Sequence, residues 1–168
     1  MKYIRYLILL CLLFSGLLSA QQQSPLEAFD RFVQGKWLTE GKWSNGNPFK
    51  QEVQFSWNLN HKLVEVKTYG TINRKTNEYG LRNKGMRAWN MKDSVIQFWE
   101  FDVFGGITSG VCYFKDKNLI YEYNYHQEQL RESWIFEDED TYKYQIANLK
   151  NGKVLELYME SSYRRIKE

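Results

Sequence analysis

Cysteine and histidine are scarce in this chain. The cysteines are Cys11 and Cys112, and the histidines are His61 and His126. Cys11 lies in an N-terminal segment that we expect to be removed, so the mature chain would have one cysteine and no internal disulfide bond. No pair of these residues stands at a metal-ligand spacing, so we expect no metal site and no cofactor. We expect Cys112, in an alternating strand, to be an inert buried residue.

Long apolar runs are absent beyond the first twenty residues. The apolar run Leu7–Leu18 follows Lys2 and Arg5 and ends at the small pair Ser19–Ala20. This order is typical of a secretory signal peptide, so we predict cleavage after residue 20 and export to the periplasm or the extracellular space. A lipid-anchored form is the alternative, but Cys11 lies inside the apolar run rather than just after a cleavage site.

Clusters of basic residues are absent as well. Removing Lys2 and Arg5 from the 23 basic residues leaves 21 against 20 acidic residues, a net charge of +1 with neutral histidines. A balanced charge without a basic patch predicts no nucleic-acid partner. No later segment has the roughly 20 consecutive apolar residues of a transmembrane helix, so we expect no membrane span in the mature chain. Residues 21–168 suit one domain; the sequence leaves its oligomeric state open.

One short helix is predicted at the start of this domain. Ser24 and Glu27 form a capping box, and Pro25 occupies the first helical position. The apolar residues that recur at helical spacing are Leu26, Phe29, Phe32 and Val33. Because Gly35 follows as a stop signal, we predict a helix over residues 25–34. We expect its apolar side to cover one end of a barrel.

From residue 36 onward, apolar and polar residues alternate with the period of β-strands. The alternating segments are 36–43, 53–59, 63–71, 86–91, 95–104, 107–114, 119–125, 130–136, 142–147 and 154–163. Tight connections favour antiparallel neighbours, and closing the sheet removes two exposed edges. We therefore predict an all-β fold, a closed antiparallel up-and-down barrel of about ten strands. The longest connection, Asn73–Lys84, is polar, and we expect it to be a mobile flap over one opening.

The start and the end of the predicted barrel carry a family resemblance. Gly35–Lys36–Trp37 resembles the Gly-x-Trp sequence of the calycin group, the lipocalins and their relatives, in which a short helix precedes this strand. In those families an arginine near the last strand packs across the tryptophan and closes one end of the barrel. The resemblance implies this role for Trp37 together with Arg164 or Arg165.

More narrowly, the chain is similar to small bacterial lipocalin-like proteins of unknown function. The shared sequences are Phe104–Gly105–Gly106, Arg131–Glu132–Ser133–Trp134 and the terminal Tyr163–Arg164–Arg165. The chain departs from fatty-acid-binding relatives, because a short turn replaces their helical pair between the first two strands. It departs from haem-binding relatives too, because no histidine follows His126.

Aromatic residues are abundant, at 17% of the chain. A ten-strand barrel has more interior than side chains readily fill, so some of these rings are expected to line a cavity. Aromatic rings with a polar group suit an amphipathic molecule or a sugar. The predicted ligand-binding residues are Trp43, Phe55, Trp57, Tyr69, Trp89, Trp99, Phe101, Tyr121 and Tyr123.

Catalytic motifs are missing, with no nucleophile elbow, phosphate-binding loop or dinucleotide fingerprint. Glu100 and Asp102 share one face of a strand and could act on one substrate, but alternating charges usually mark the solvent face. We therefore expect them to point outward and their neighbours Trp99 and Phe101 to point inward. Other carboxylates that could join them are Glu122 and Glu132, with Arg87 or Arg131 as counter-charge.

Three functions remain open at this stage. The first is a non-catalytic carrier or sensor that holds a small hydrophobic or amphipathic molecule in the barrel. The second is an enzyme or accessory factor acting on carbohydrate or another polar metabolite, with Glu100, His126 and Arg131 as polar groups. The third is a structural or partner-binding envelope protein with a filled barrel. Convergence of those three polar side chains in one cleft would favour the enzyme.

Overall fold

The computed structural model describes residues 24–73 and 75–167. The predicted signal peptide, residues 1–20, lies outside the described residues. A 3₁₀ helix spans Pro25–Arg31, which is shorter than the predicted 25–34. Its capping box is present. The Ser24 hydroxyl accepts a hydrogen bond from the backbone N–H of Leu26, and the Glu27 carboxylate accepts one from the backbone N–H of Ser24. Gly35 follows at φ +96° before the first strand, where a side chain would also meet the carbonyl of Ile166, so glycine is required.

Ten strands follow the helix. They are β1 (Lys36–Lys42), β2 (Pro48–Asn58), β3 (Leu63–Asn73), β4 (Glu78–Asn90), β5 (Val95–Asp102), β6 (Ile107–Lys115), β7 (Asn118–Tyr125), β8 (Glu128–Asp138), β9 (Thr141–Lys150) and β10 (Lys153–Ile166). Each strand pairs antiparallel with its neighbour in sequence, and β1 pairs with β10. The predicted closed up-and-down barrel with one short N-terminal helix is confirmed.

The predicted flap over residues 73–84 is wrong. Strands β3 and β4 continue through most of it, with Thr71 opposite Tyr79 and Gly70 opposite Gly80. Residues 75–77 form a turn, in which the Asn73 side chain accepts a hydrogen bond of 3.0 Å from the backbone of Lys75. The polar sequence misled the prediction because the solvent face of an antiparallel ladder tolerates polar residues without loss of pairing.

The 3₁₀ helix plugs one end of the barrel. Its apolar residues Leu26 and Phe29, with Phe32 just beyond it, are fully buried. Phe29 meets Phe114 edge to face at 4.9 Å between ring centroids, and Phe32 meets Trp134 in the same way at 5.7 Å. We call this end the closed end.

Trp37 fixes the strand β1 to that plug. It is fully buried, and its indole Nε1–H donates to the carbonyl of Phe32 at 2.9 Å. The guanidinium of Arg165 lies over its ring at 4.6 Å, and it donates to the carbonyls of Arg31 and Glu139. Of the two arginines named from the resemblance, Arg165 therefore occupies this position, while Arg164 is exposed.

Candidate ligand-binding lumen

A cavity of about 370 Å³ lies in the barrel between the aromatic plug and the opposite opening. This volume falls in the range of small-molecule sites, roughly 300–1,000 Å³. Apolar side chains that line it include Phe55, Val66, Phe98, Leu130 and Trp134. Polar side chains line it as well, so the wall is amphipathic rather than purely apolar. We call this cavity the lumen.

The first polar cluster of the lumen is centred on Arg87, which is 3% exposed. Its Nη2 forms an ion pair with the Glu100 carboxylate, and its Nε donates to the hydroxyl of Tyr121 at 3.1 Å. The guanidinium also lies over the rings of Tyr121 and Phe98, at 5.0 and 5.5 Å. Burial alone would lower the pKa of Arg87, but Tyr121 and Glu100 raise it, so this buried group stays charged.

Gly85 makes room for that guanidinium. A side chain at this inward position of β4 would overlap with Nη1 of Arg87 and with the Glu100 side chain. Glycine therefore lets the arginine lie against the strand instead of filling the lumen. The space that this arrangement preserves is part of the cavity.

The second polar cluster is centred on Glu132. Tyr123 donates its hydroxyl to one carboxylate oxygen at 2.5 Å, and Tyr144 donates to the other at 2.6 Å. Burial and the negative charge of Glu100 raise the pKa of Glu132, against the lowering effect of the two tyrosines. Burial likewise raises the pKa of Tyr123 and Tyr144, so both are neutral donors. The cluster holds a carboxyl group whose charge is poorly compensated by the protein.

The turn between β5 and β6 forms part of the open end. One Asp102 oxygen accepts from the backbone of Phe104 at 2.7 Å and of Gly106 at 2.9 Å, which fixes the turn beside the lumen. The apolar side chains of Val103, Phe104 and Ile107 are all exposed there. The Phe104–Gly105–Gly106 sequence therefore shapes the rim of the opening.

Four of the nine predicted ligand-binding aromatic residues line the lumen: Trp43, Phe55, Tyr121 and Tyr123. Two others lie at the closed end. Trp57 donates a hydrogen bond to the Asp30 carboxylate at 3.0 Å and stacks on His61. Trp89 borders a separate groove beside the helix, which Pro25 also lines. Their assignment to the lumen is corrected, because the helix fills that end.

The other three of the nine, Tyr69, Trp99 and Phe101, alternate with residues that line the lumen and lie on the outer wall. On β5, Ile96 and Phe98 are buried inside, so Glu100 and Asp102 follow them into the lumen. The opposite orientation was predicted, and it is wrong. Large apolar residues occupy both faces of this strand, with Val95 and Trp99 on one and Ile96 and Phe98 on the other. Only Gln97 marks the outer face before Glu100, and the polar lumen reverses the usual pattern.

The three predicted polar actors do not converge. Glu100 lines the lumen, whereas Arg131 pairs with Glu122 at 2.6 Å on the outward-facing side of the strands β7 and β8. His126 is exposed in the turn after β7, at φ +53°. Cys112 is buried, as predicted, and burial raises the pKa of its thiol to about 12.

Sequence reasoning missed Tyr144 and undervalued Glu132 and Arg87. Leu130, Glu132 and Trp134 occupy successive inward positions of β8, so the apolar neighbours of Glu132 were a usable signal. On β9, Tyr144 lies two residues after the buried Tyr142 and therefore on the same inward face. A polar residue between two inward apolar residues therefore identifies a lumen position.

Neither a metal site nor a membrane-spanning helix emerges from this part of the chain. In residues 24–73 and 75–167, no group of three or more histidine, cysteine, aspartate or glutamate side chains is placed to hold a metal ion. The helices in these ranges include none that is long and apolar enough to cross a membrane.

Comparisons with known proteins give a fold. No protein-family model matches the chain. No curated protein matches its sequence. Fatty-acid-binding protein 1 of Echinococcus granulosus superimposes with a TM-score of 0.54 at 13% identity, covering 83% of this chain and 98% of its own. The S-type phycobiliprotein lyase of Guillardia theta gives 0.53 at 13% identity, covering 88% and 95%. At this identity the likeness shows the fold alone, and that fold is the calycin-like ten-strand barrel.

Proposed function

We propose that this protein is an exported, non-catalytic binding protein that holds a small hydrophobic or amphipathic molecule in its lumen. The observation that carries the proposal is the cavity of about 370 Å³ with apolar and polar groups on one wall. A protein whose barrel served only as a scaffold would gain stability by filling this space, because unfilled cavities are destabilising. The lumen therefore favours binding over a purely structural role.

Two further observations support binding rather than chemistry. Glu100, His126 and Arg131 lie in different places, so they cannot act on one substrate. One similar structure is a fatty-acid-binding protein by name, which is a ligand-holding use of this architecture. That protein's ligand is not transferred to this chain, since the identity is 13%.

Two neighbouring residues of β6 allow a matched test of the lumen. Thr108 lines the lumen, and Ser109 is exposed on the opposite face of the same strand. Thr108→Trp places a large ring in the cavity, while Ser109→Trp places the same ring in solvent. We expect native mass spectrometry to detect an amphipathic molecule, co-purified or added, on the wild type and the Ser109→Trp variant, and much less on Thr108→Trp. Circular dichroism checks that both variants fold.

The proposal is wrong if native protein never carries a co-purified molecule and binds no added amphiphile. Equal binding by the two tryptophan variants would instead move the site outside the lumen. Export is tested separately. The mass of protein recovered outside the cytoplasm should correspond to a chain that begins at Gln21, and a cytoplasmic full-length chain would contradict export.

A further inference from the structure

The charged groups that line the lumen are mostly acidic. Among the described residues, four carboxylates and two guanidinium groups line it: Glu100, Asp102, Glu128, Glu132, Arg82 and Arg87. Charges in a partly enclosed, apolar-walled space interact more strongly than charges in water. The excess of carboxylates gives the lumen a negative potential.

Arg87 does not offset this excess for an incoming ligand. Its Nη2 is held by Glu100 and its Nε by Tyr121. Its remaining nitrogen, Nη1, has no hydrogen-bond partner, but it is buried where a Gly85 side chain would stand, against the wall of β4. A ligand carboxylate would have to compete with Glu100 for this cation and would lie next to that negative charge.

Around Glu132, the unused hydrogen-bonding capacity belongs to acceptors. Tyr123 and Tyr144 each use their hydroxyl hydrogen on Glu132, and Tyr163 uses its own on a glutamine, at 2.8 Å. Their oxygens and the two Glu132 oxygens still have free lone pairs. The side-chain oxygen of Asn83 is buried without a partner. These groups require hydrogen-bond donors, which a bound molecule can supply.

We infer that the lumen selects amphiphiles whose polar end is a positively charged hydrogen-bond donor, such as a primary alkylammonium, over carboxylates of the same chain length. This inference rests on the proposed binding function. The ammonium group has three donors and no acceptor, which matches the acceptors around Glu132. Its charge compensates the carboxylate that the protein leaves poorly compensated, and its alkyl chain contacts the apolar wall.

Isothermal titration calorimetry with three amphiphiles of equal chain length tests the selection. The probes are n-decylammonium, n-decanol and n-decanoate, each below its micelle concentration. For wild-type protein at neutral pH we expect the ammonium to bind tightest and the carboxylate weakest. The ratio between these two should be at least about tenfold, because a hydrogen bond to a charged group is stronger than one between neutral groups.

Variants locate the preference. Glu132→Gln keeps the size of the side chain and removes its charge, so we expect about tenfold weaker binding of n-decylammonium and little change for n-decanol. The control Glu160→Gln removes an exposed carboxylate on β10, and all three affinities should stay unchanged. Thermal melting shows whether each variant is folded. If Glu132→Gln does not fold, the order of the three probe affinities for wild-type protein still tests the inference.

The outcomes separate the inference from the function that it deepens. Binding of all three probes with equal affinity, or tightest binding of n-decanoate, overturns the charge preference and leaves the binding function intact. An unchanged ammonium affinity in folded Glu132→Gln overturns the assignment to Glu132. Failure of all three probes to bind overturns the inference together with the proposed function.

Discussion

The closed end and the lumen of this barrel are built from the same strands by opposite rules. At the closed end, Trp37, Phe32 and Tyr142 pack ring against ring around the helix, with Arg165 stacked outside. In the lumen, Arg87 and Glu132 stand in hydrogen-bonded clusters beside an unfilled cavity. Apolar packing stabilises a fold, whereas buried ion pairs contribute little net stability. The comparison separates the end that stabilises the fold from the lumen for which we propose binding.

The largest effect is expected at the closed end. Trp37→Ala leaves a void under the helix and removes the bond to Phe32, so it should lower the free energy of unfolding by about 3–5 kcal/mol. Chemical denaturation monitored by circular dichroism measures this change. The control Trp99→Ala on the outer wall should cost much less. Equal costs for the two variants would remove the distinction between closed end and wall.

A somewhat smaller effect is expected in the lumen, when one member of the ion pair is removed. Arg87→Met leaves Glu100 without its cation and should destabilise the protein by about 3 kcal/mol. Adding Glu100→Gln should recover most of that loss, since the penalty comes from an unpaired buried charge rather than from a missing attraction. Denaturation of the single and double variants measures the recovery.

The outer wall supplies the control for that pair. Arg131 and Glu122 form a comparable contact at 2.6 Å in a more exposed setting. Arg131→Met should therefore cost less than about 1 kcal/mol. If the double variant, Arg87→Met with Glu100→Gln, is no more stable than Arg87→Met alone, the ion pair itself stabilises the fold. That result would contradict the view that the pair serves binding rather than stability.

The smallest effect depends on pH. The pKa of Glu132 is raised in the folded protein, so above the unfolded-state value of about 4.3 the folded state holds the proton more tightly than the unfolded state does. Wild-type stability should therefore fall as the pH rises from that value through the folded-state pKa. Glu132→Gln has no carboxyl group to titrate at this position. Its melting temperature minus that of wild type should therefore increase as the pH rises over the same window. A constant difference between about pH 4 and about pH 8 would show that Glu132 titrates normally.

The closed end was largely readable from the sequence, for a physical reason. The stop at Gly35 is a local signal that the chain records directly. The roles of Trp37 and of a terminal arginine were implied by the resemblance to the calycin group, and the structure assigns the second role to Arg165. Capping of the helix by Ser24 and Glu27 is another local signal, and it is confirmed. The ten strands were readable because tight turns interrupt a period of two.

The lumen was less readable, because its inner face violates the usual alternation. Large apolar residues stand on both faces of β5, so the side that holds Glu100 is set by the closure of the barrel and by the ion pair with Arg87 on β4. The closure of the barrel pairs β1 with β10, at opposite ends of the described chain, which no local pattern records. Trp57 and Trp89 were placed in the lumen for a similar reason, since their strands do not reveal which end the helix fills.

The central claim is that the lumen, and not the closed end or the outer wall, holds the ligand, and the six tryptophans allow one direct test. Trp43 and Trp134 line the lumen, Trp37, Trp57 and Trp89 lie at the closed end, and Trp99 lies on the outer wall. Nuclear magnetic resonance of the indole N–H groups during titration with n-decanol should shift the signals of Trp43 and Trp134 and leave that of Trp99 unchanged. Shifts confined to Trp89 would place the molecule in the groove beside the helix, and unchanged Trp43 and Trp134 signals at saturating n-decanol would contradict binding in the lumen.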